Sequence, residues 1–119
     1  MIEREYPTPD DLVAAELRAW WVRFWLRVED QLHVPELGCC WVWQGATSRG
    51  YAKLNSKATG HVPAFRWLWE QEHGPVPDGL VLDHLCRVQA CIRPAHLEPV
   101  TPAENSRRAH AARMARLRA

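Results

Sequence analysis

At 119 residues the chain suffices for one small domain and is too short for two with good cores. Its composition, 47% hydrophobic and 24% charged, is globular, and no run of about eighteen apolar residues is present to cross a membrane as a helix. The net charge of +1 excludes a uniformly basic protein, yet the charge is unevenly placed: residues 1–37 carry eight acids and four arginines, residues 101–119 one acid and five arginines. The polar, acidic first ten residues do not read as a signal peptide, so a soluble cytoplasmic protein without membrane association is expected.

Taken in order, residues 8–32 read as one long helix. Thr8 is its N-cap, Pro9 its first residue, and Asp10 and Asp11 complement its dipole. Leu17, Trp21, Phe24, Val28 and Leu32 recur at spacings of three and four. Trp20 and Trp25 widen the apolar surface, which suits either packing on a core or contact with a second copy or another protein. Pro35 ends this region. Residues 40–44, rich in aromatic and β-branched side chains, read as a strand, and residues 51–54 as its hairpin partner across a turn at 45–50. Residues 55–60 read as a polar loop. Residues 64–73 predict a short helix with Phe65, Leu68 and Trp69 on one side and Gly74 closing it.

Residues 82–105, LDHLCRVQACIRPAHLEPVTPAEN, carry the chemistry. Residues 80–82 and 97–100 read as two short strands, and Thr101-Pro102-Ala103-Glu104 as the capping box of a final helix. Cys86, Cys91 and His96 are soft or borderline ligands suited to zinc, which this spacing favours over disulfides for the four cysteines. A closed tetrahedral site wants a fourth ligand. Cys39 or Cys40 can supply it, but not both, because neighbours on a strand point to opposite sides. Interleaved with these are Asp83, His84 and Asn105, residue types that hold a hard cation and activate a water.

The pattern Asp83-His84-Leu85-Cys86, Cys91, Pro94, His96-Leu97 and Asn105 resembles the HNH, or His-Me finger, endonucleases, in particular the zinc-loop branch with phage HNH proteins and His-Cys box homing endonucleases. Cys40-Trp41-Val42-Trp43-Gln44-Gly45, and Arg66 followed by Gly74-Pro75-Val76-Pro77, extend the likeness over roughly residues 38–108. The resemblance implies an α+β fold: a small zinc-stabilised ββα-metal core with an N-terminal helix and a basic C-terminal helix. Residues 1–37 would be a helical extension packed on an endonuclease domain at 38–119.

The resemblance also implies the ligand set and the chemistry. Structural zinc would sit on Cys40, Cys86, Cys91 and His96, leaving Cys39 free. His84 would be the general base, Asn105 and Asp83 would hold Mg²⁺ or a similar divalent ion, and Arg66 would meet either the scissile phosphate or a neighbouring carboxylate, with His61 a further candidate nearby. DNA would be cleaved to 5′ phosphate and 3′ hydroxyl ends, and Arg107, Arg108 and Arg113 would contact its backbone. The setting would be a phage or a bacterium. The alternative is a zinc-stabilised DNA-binding or accessory module without cleavage of its own.

Overall fold

The computed structural model describes residues 15–56 and 59–118. The fold is a small mixed arrangement of helices and strands. Among the described residues no helix is long and apolar enough to cross a membrane.

Helix α1 spans Ala15–Leu26, so the long helix expected at 8–32 is corrected to a shorter element; its expected start at Thr8 lies outside the described residues. Trp21 and Phe24 are buried with Trp43, Leu54, Ala64 and Leu68 in the main core cluster. Strand β1, Val28–Val34, replaces the end of the expected helix. It pairs antiparallel with β2, Gly38–Trp43, in the register Val28↔Trp43 and Asp30↔Trp41. Val28 is buried as helical spacing requires, but Leu32 is 59% exposed, with φ 55° at a bulge between Gln31 and His33. A ladder for β2 outweighs local helical periodicity here, because its backbone groups need partners beside buried tryptophans.

The second correction concerns the partner of β2. Residues 51–54 do not pair with it. Its free edge belongs to the loop at 88–92, since the Trp43 N–H donates to the Ala90 carbonyl and the Ile92 N–H to the Trp41 carbonyl, both at 2.9 Å. Strand β4, Tyr51–Ser56, instead pairs with β3, Thr47–Ser48, and with β5, Gly60–Pro63, so residues 55, 56 and 60 of the expected loop are strand. Arg49 and Gly50, with φ of 54° and 87°, form the two-residue β3–β4 turn, where both central residues must be left-handed. A Cβ on Gly50 would lie 2.5 Å from Gln89 Oε1, so the hairpin tip sits against the cysteine loop.

Helix α2, Ala64–His73, buries Leu68 and Trp69 and ends as expected at Gly74, whose N–H donates to the Glu70 carbonyl at 2.8 Å with φ 82°. Strands β6, Val81–His84, and β7, Leu97–Val100, form an antiparallel ribbon with Asp83 opposite Glu98 and His84 opposite Leu97. Helix α3, Pro102–Arg118, starts where the capping signal placed it: the Glu104 N–H donates to Thr101 Oγ1 at 3.1 Å. The reciprocal half of the box gives way to ion pairs, because the Glu104 carboxylate accepts from Arg107 and Arg108. No residue of α3 is buried, and it meets the β6–β7 ribbon, chiefly at β6.

Candidate active site and metal centre

Cys40, Cys86, Cys91 and His96 are all buried, and their ligand atoms lie within 4.8 Å of one another. Four donors at a tetrahedral zinc, with Zn–S about 2.3 Å, stand roughly 3.5–4 Å apart. The observed His96 Nδ1 distances, 3.5 Å to Cys40 Sγ and 3.6 Å to Cys91 Sγ, suit that arrangement. Backbone geometry assembles the set. The strand-like pairing of β2 with the loop brings Val42 opposite Cys91, and Arg87, at φ 61°, turns the chain after Cys86. His96 Nε2 donates to the Leu37 carbonyl at 2.8 Å, which fixes the tautomer and leaves the Nδ1 lone pair facing the thiols.

Thiols packed this closely cannot all ionise on their own. The Cys91 thiol beside it draws Cys86 down to about 4, burial pushes Cys40 up to about 11, and the hydrogen bond to Cys86 together with burial pushes Cys91 well above an ordinary thiol. One anion forms and the others are suppressed, a frustration that a bound dication relieves. Cys39 points elsewhere, with its Sγ 3.7 Å from His33 Nδ1.

His84 ends β6, 8% exposed, with its Nε2 3.1 Å from the Cys91 carbonyl. A carbonyl only accepts, so Nε2 carries the proton and Nδ1 the lone pair. Phe65 packs edge-on against the ring at 4.5 Å between centroids, and Tyr51 lies at 5.6 Å. Burial lowers the pKa of His84 below its ordinary value and favours the neutral imidazole.

Asp83, 2% exposed, is buried on the other side of the strand. Arg87 binds its carboxylate bidentately at 2.7 and 3.0 Å, and Arg108 adds a bond of 3.2 Å. The carboxylate expected to hold a metal ion is therefore already engaged by two guanidinium groups. Arg108 also reaches Glu98 at 3.1 Å and Glu104 at 2.9 Å, so its charge is matched within the fold rather than displayed to a polyanion. Asn105 stands three residues before Arg108 and so shares the face of α3 that meets β6.

The remaining site residues are dispersed. Arg66 is exposed on α2 and pairs with Glu70 at 3.6 Å. Arg107 binds Glu104, Arg113 donates to His110 at 3.4 Å, and His61 lies exposed on β5 opposite Asn55. Sequence reasoning missed the rings around His84. Phe65 reads as an ordinary helix-core residue and Tyr51 as a strand residue, and it is the β3–β5 sheet that carries Tyr51 to the His84 ring. It also missed Arg87, which meets Asp83 through the turn after β6 rather than along a helix, so no sequence periodicity signalled the pair.

Residues 62–107 match the model of the HNH endonuclease family. The resemblance read from the sequence therefore holds for the segment that contains α2, the β6–β7 ribbon and the first turn of α3. Over 38 residues the chain is 45% identical to the uncharacterized gene 5.3 protein of Enterobacteria phage T3, covering 32% of this chain and 38% of that protein. Over 70 residues it is 37% identical to protein 7.7 of Escherichia phage T7, covering 56% of this chain and 52% of that one. The chain thus spans about half or less of the length of the curated relatives it matches. No solved structure matches it.

Proposed function

We propose that this HNH-type chain is a metal-dependent DNA endonuclease that hydrolyses phosphodiester bonds to 5′ phosphate and 3′ hydroxyl ends, with a structural zinc held by Cys40, Cys86, Cys91 and His96. The observation that carries the reading is the His84 tautomer, set by the Cys91 carbonyl, which leaves a neutral Nδ1 as proton acceptor. His84 takes a proton from the attacking water as the oxygen closes on phosphorus. The bond to the 3′ oxygen breaks, and that oxygen leaves with the bonding pair and takes a proton from solvent water to become the hydroxyl. Phe65 and Tyr51 hold the ring in one orientation.

Asn105 would supply a neutral oxygen and Asp83 an anionic one for Mg²⁺ or a similar hard ion, donor types that suit such an ion. Asp83 would share its carboxylate with Arg87 and Arg108, which leaves Asn105 the donor without a competing cation among the described residues. When bound, such an ion stabilises negative charge on the phosphate and the leaving oxygen. That engagement of Asp83 is also what favours the second reading, a zinc-stabilised DNA-binding or accessory module. Domain roles follow the same proposal: residues 38–119 form the nuclease, and the α1 region buttresses it through Trp21 and Phe24.

Plasmid conversion with added Mg²⁺, compared with no added divalent ion, separates the readings. Nicked or linear product that depends on Mg²⁺ supports the nuclease; binding without cleavage across several divalent ions supports the module. Asn105→Ala is expected to keep zinc and the parent melting temperature while shifting the Mg²⁺ requirement upward, as measured by titrating Mg²⁺ in the same assay. An unshifted titration would remove Asn105 from the ion site.

A further inference from the structure

The β3–β5 sheet turns one face to the core and the other to solvent. Along β4, Ala52 and Leu54 are buried, whereas Tyr51, Lys53 and Asn55 are exposed. The cross-strand partner of Asn55 is His61, which extends the polar face sideways. One end of this face is the active site, because Tyr51 packs on the His84 ring. The other end opens into a groove lined by Trp20, Arg27, Lys53, Leu54, Asn55 and Ser56. From Tyr51 to Asn55 the strand covers about 13 Å. Arg49, at the β3–β4 turn, stands beyond Tyr51.

Charge separates this face from the first turns of helix α3, where Arg107 and Arg108 stand beside Glu104. Residues 37–69 contain Arg49, Lys53, Lys57 and Arg66 and no Asp or Glu. Among the described residues no carboxylate pairs with Arg27, Arg49 or Lys53, whereas Arg107 and Arg108 both spend their charge on Glu104. A polyanion gains most from cations that have no internal partner, since only these exchange condensed counterions for protein charge.

We propose that the solvent face of the β3–β5 sheet, from Arg49 past Tyr51 and Lys53 to the Arg27–Trp20 groove, is the track that seats the DNA strand leading into His84. The identity of the polymer rests on the nuclease reading; the location of the track rests on the sheet. Arg49, Lys53 and Arg27 take phosphates, and Asn55 and Tyr51 supply a hydrogen-bonding amide and an aromatic face beside them.

The test compares the parent with a variant carrying Arg27→Ala, Arg49→Asn and Lys53→Ala; asparagine keeps a side chain that tolerates the left-handed backbone at position 49. Duplex binding is followed by fluorescence anisotropy over a range of salt without added divalent ion, and zinc content and melting are measured alongside. The expected result is parental zinc and melting, weaker binding to every sequence, and a log–log salt slope reduced by up to about three. Should the triple variant lose zinc, Lys53→Ala alone carries the test, with a reduction of about one. An unchanged slope in a folded variant of a parent that cuts plasmid overturns the track and leaves the nuclease standing. A reduced slope in a parent that binds but never cuts upholds the track and overturns the nuclease. A parent that neither binds nor cuts overturns both.

Discussion

His84→Ala is expected to lower DNA cleavage by roughly 10²–10⁴-fold, the usual contribution of a general base, while zinc content and DNA affinity stay at parental levels. The separation follows from where the ring sits. Its hydrogen bond to the cysteine loop runs to the Cys91 main-chain carbonyl, and among the described residues its Nδ1 belongs to no metal-ligand cluster. The side chain also has a packing duty against Phe65 and Tyr51. Its removal leaves the Cys91 carbonyl without that donor, so a stability loss of about 1–3 kcal/mol accompanies the lost activity. His84→Gln, which restores a donor, should regain part of the melting temperature and none of the rate.

The pH profile gives an independent readout. Burial lowers the His84 pKa, so the base is neutral at and above pH of about 6.5, and cleavage should rise on an acid limb below that value and then level. The sign for stability is the same. The unfolded chain binds the proton more readily, so this group's contribution is complete above about pH 6.5 and is lost as pH falls through the lowered folded pKa. Parental cleavage by His84→Ala would reassign the base, with His61 the next candidate.

The second large effect is loss of the zinc proposed for the Cys40, Cys86, Cys91 and His96 cluster. Structural zinc in small domains contributes on the order of 10 kcal/mol, comparable with the whole stability of a domain this size. Cys91→Ser is expected to lose the metal and unfold, because Cys91 is fully buried and its segment also pairs with β2. Cys40→Ser should behave alike. Cys39→Ser should keep metal and parental melting, since its thiol faces His33 on the other side of the strand. Elemental analysis and thermal melting of the three variants check this. Zinc retained in Cys40→Ser and lost in Cys39→Ser would move the ligand by one residue.

The residues from Pro63 onward were legible because each local signal agreed with the tertiary fold. Gly74 closes α2, Thr101 caps α3, and the ribbon falls where two short apolar runs placed it. Within residues 28–56 the strands at 40–44 and 51–54 were read as strands, but their partners and the strand at 28–34 were missed because that pairing is non-local. Nothing in the sequence of β2 shows that the cysteine loop holds one of its edges, and that contact sends β4 to other partners and draws residues 28–34 out of a helix. Three of the zinc-type ligands, Cys86, Cys91 and His96, were readable from spacing, the family resemblance chose Cys40 over Cys39, and the proximity of the four is now a geometric fact. The pairing of Arg108 with Asp83, Glu98 and Glu104 was not readable, since a basic helix looks the same whether its charge faces solvent or carboxylates.

Two histidines, His84 and His96, serve different ends yet are oriented the same way, each giving its Nε2 proton to a main-chain carbonyl, of Cys91 and of Leu37. A carboxylate in that place could be erased by one codon change, whereas every amino acid brings its own carbonyl. The orienting partners are thus written into the path of the chain rather than into the identity of a side chain. Position 37 can drift among residues of similar bulk with the ring of His96 still held. What sequence change has to preserve is the course of two loops, so both rings stay oriented whatever side chains those loops carry at the carbonyl positions.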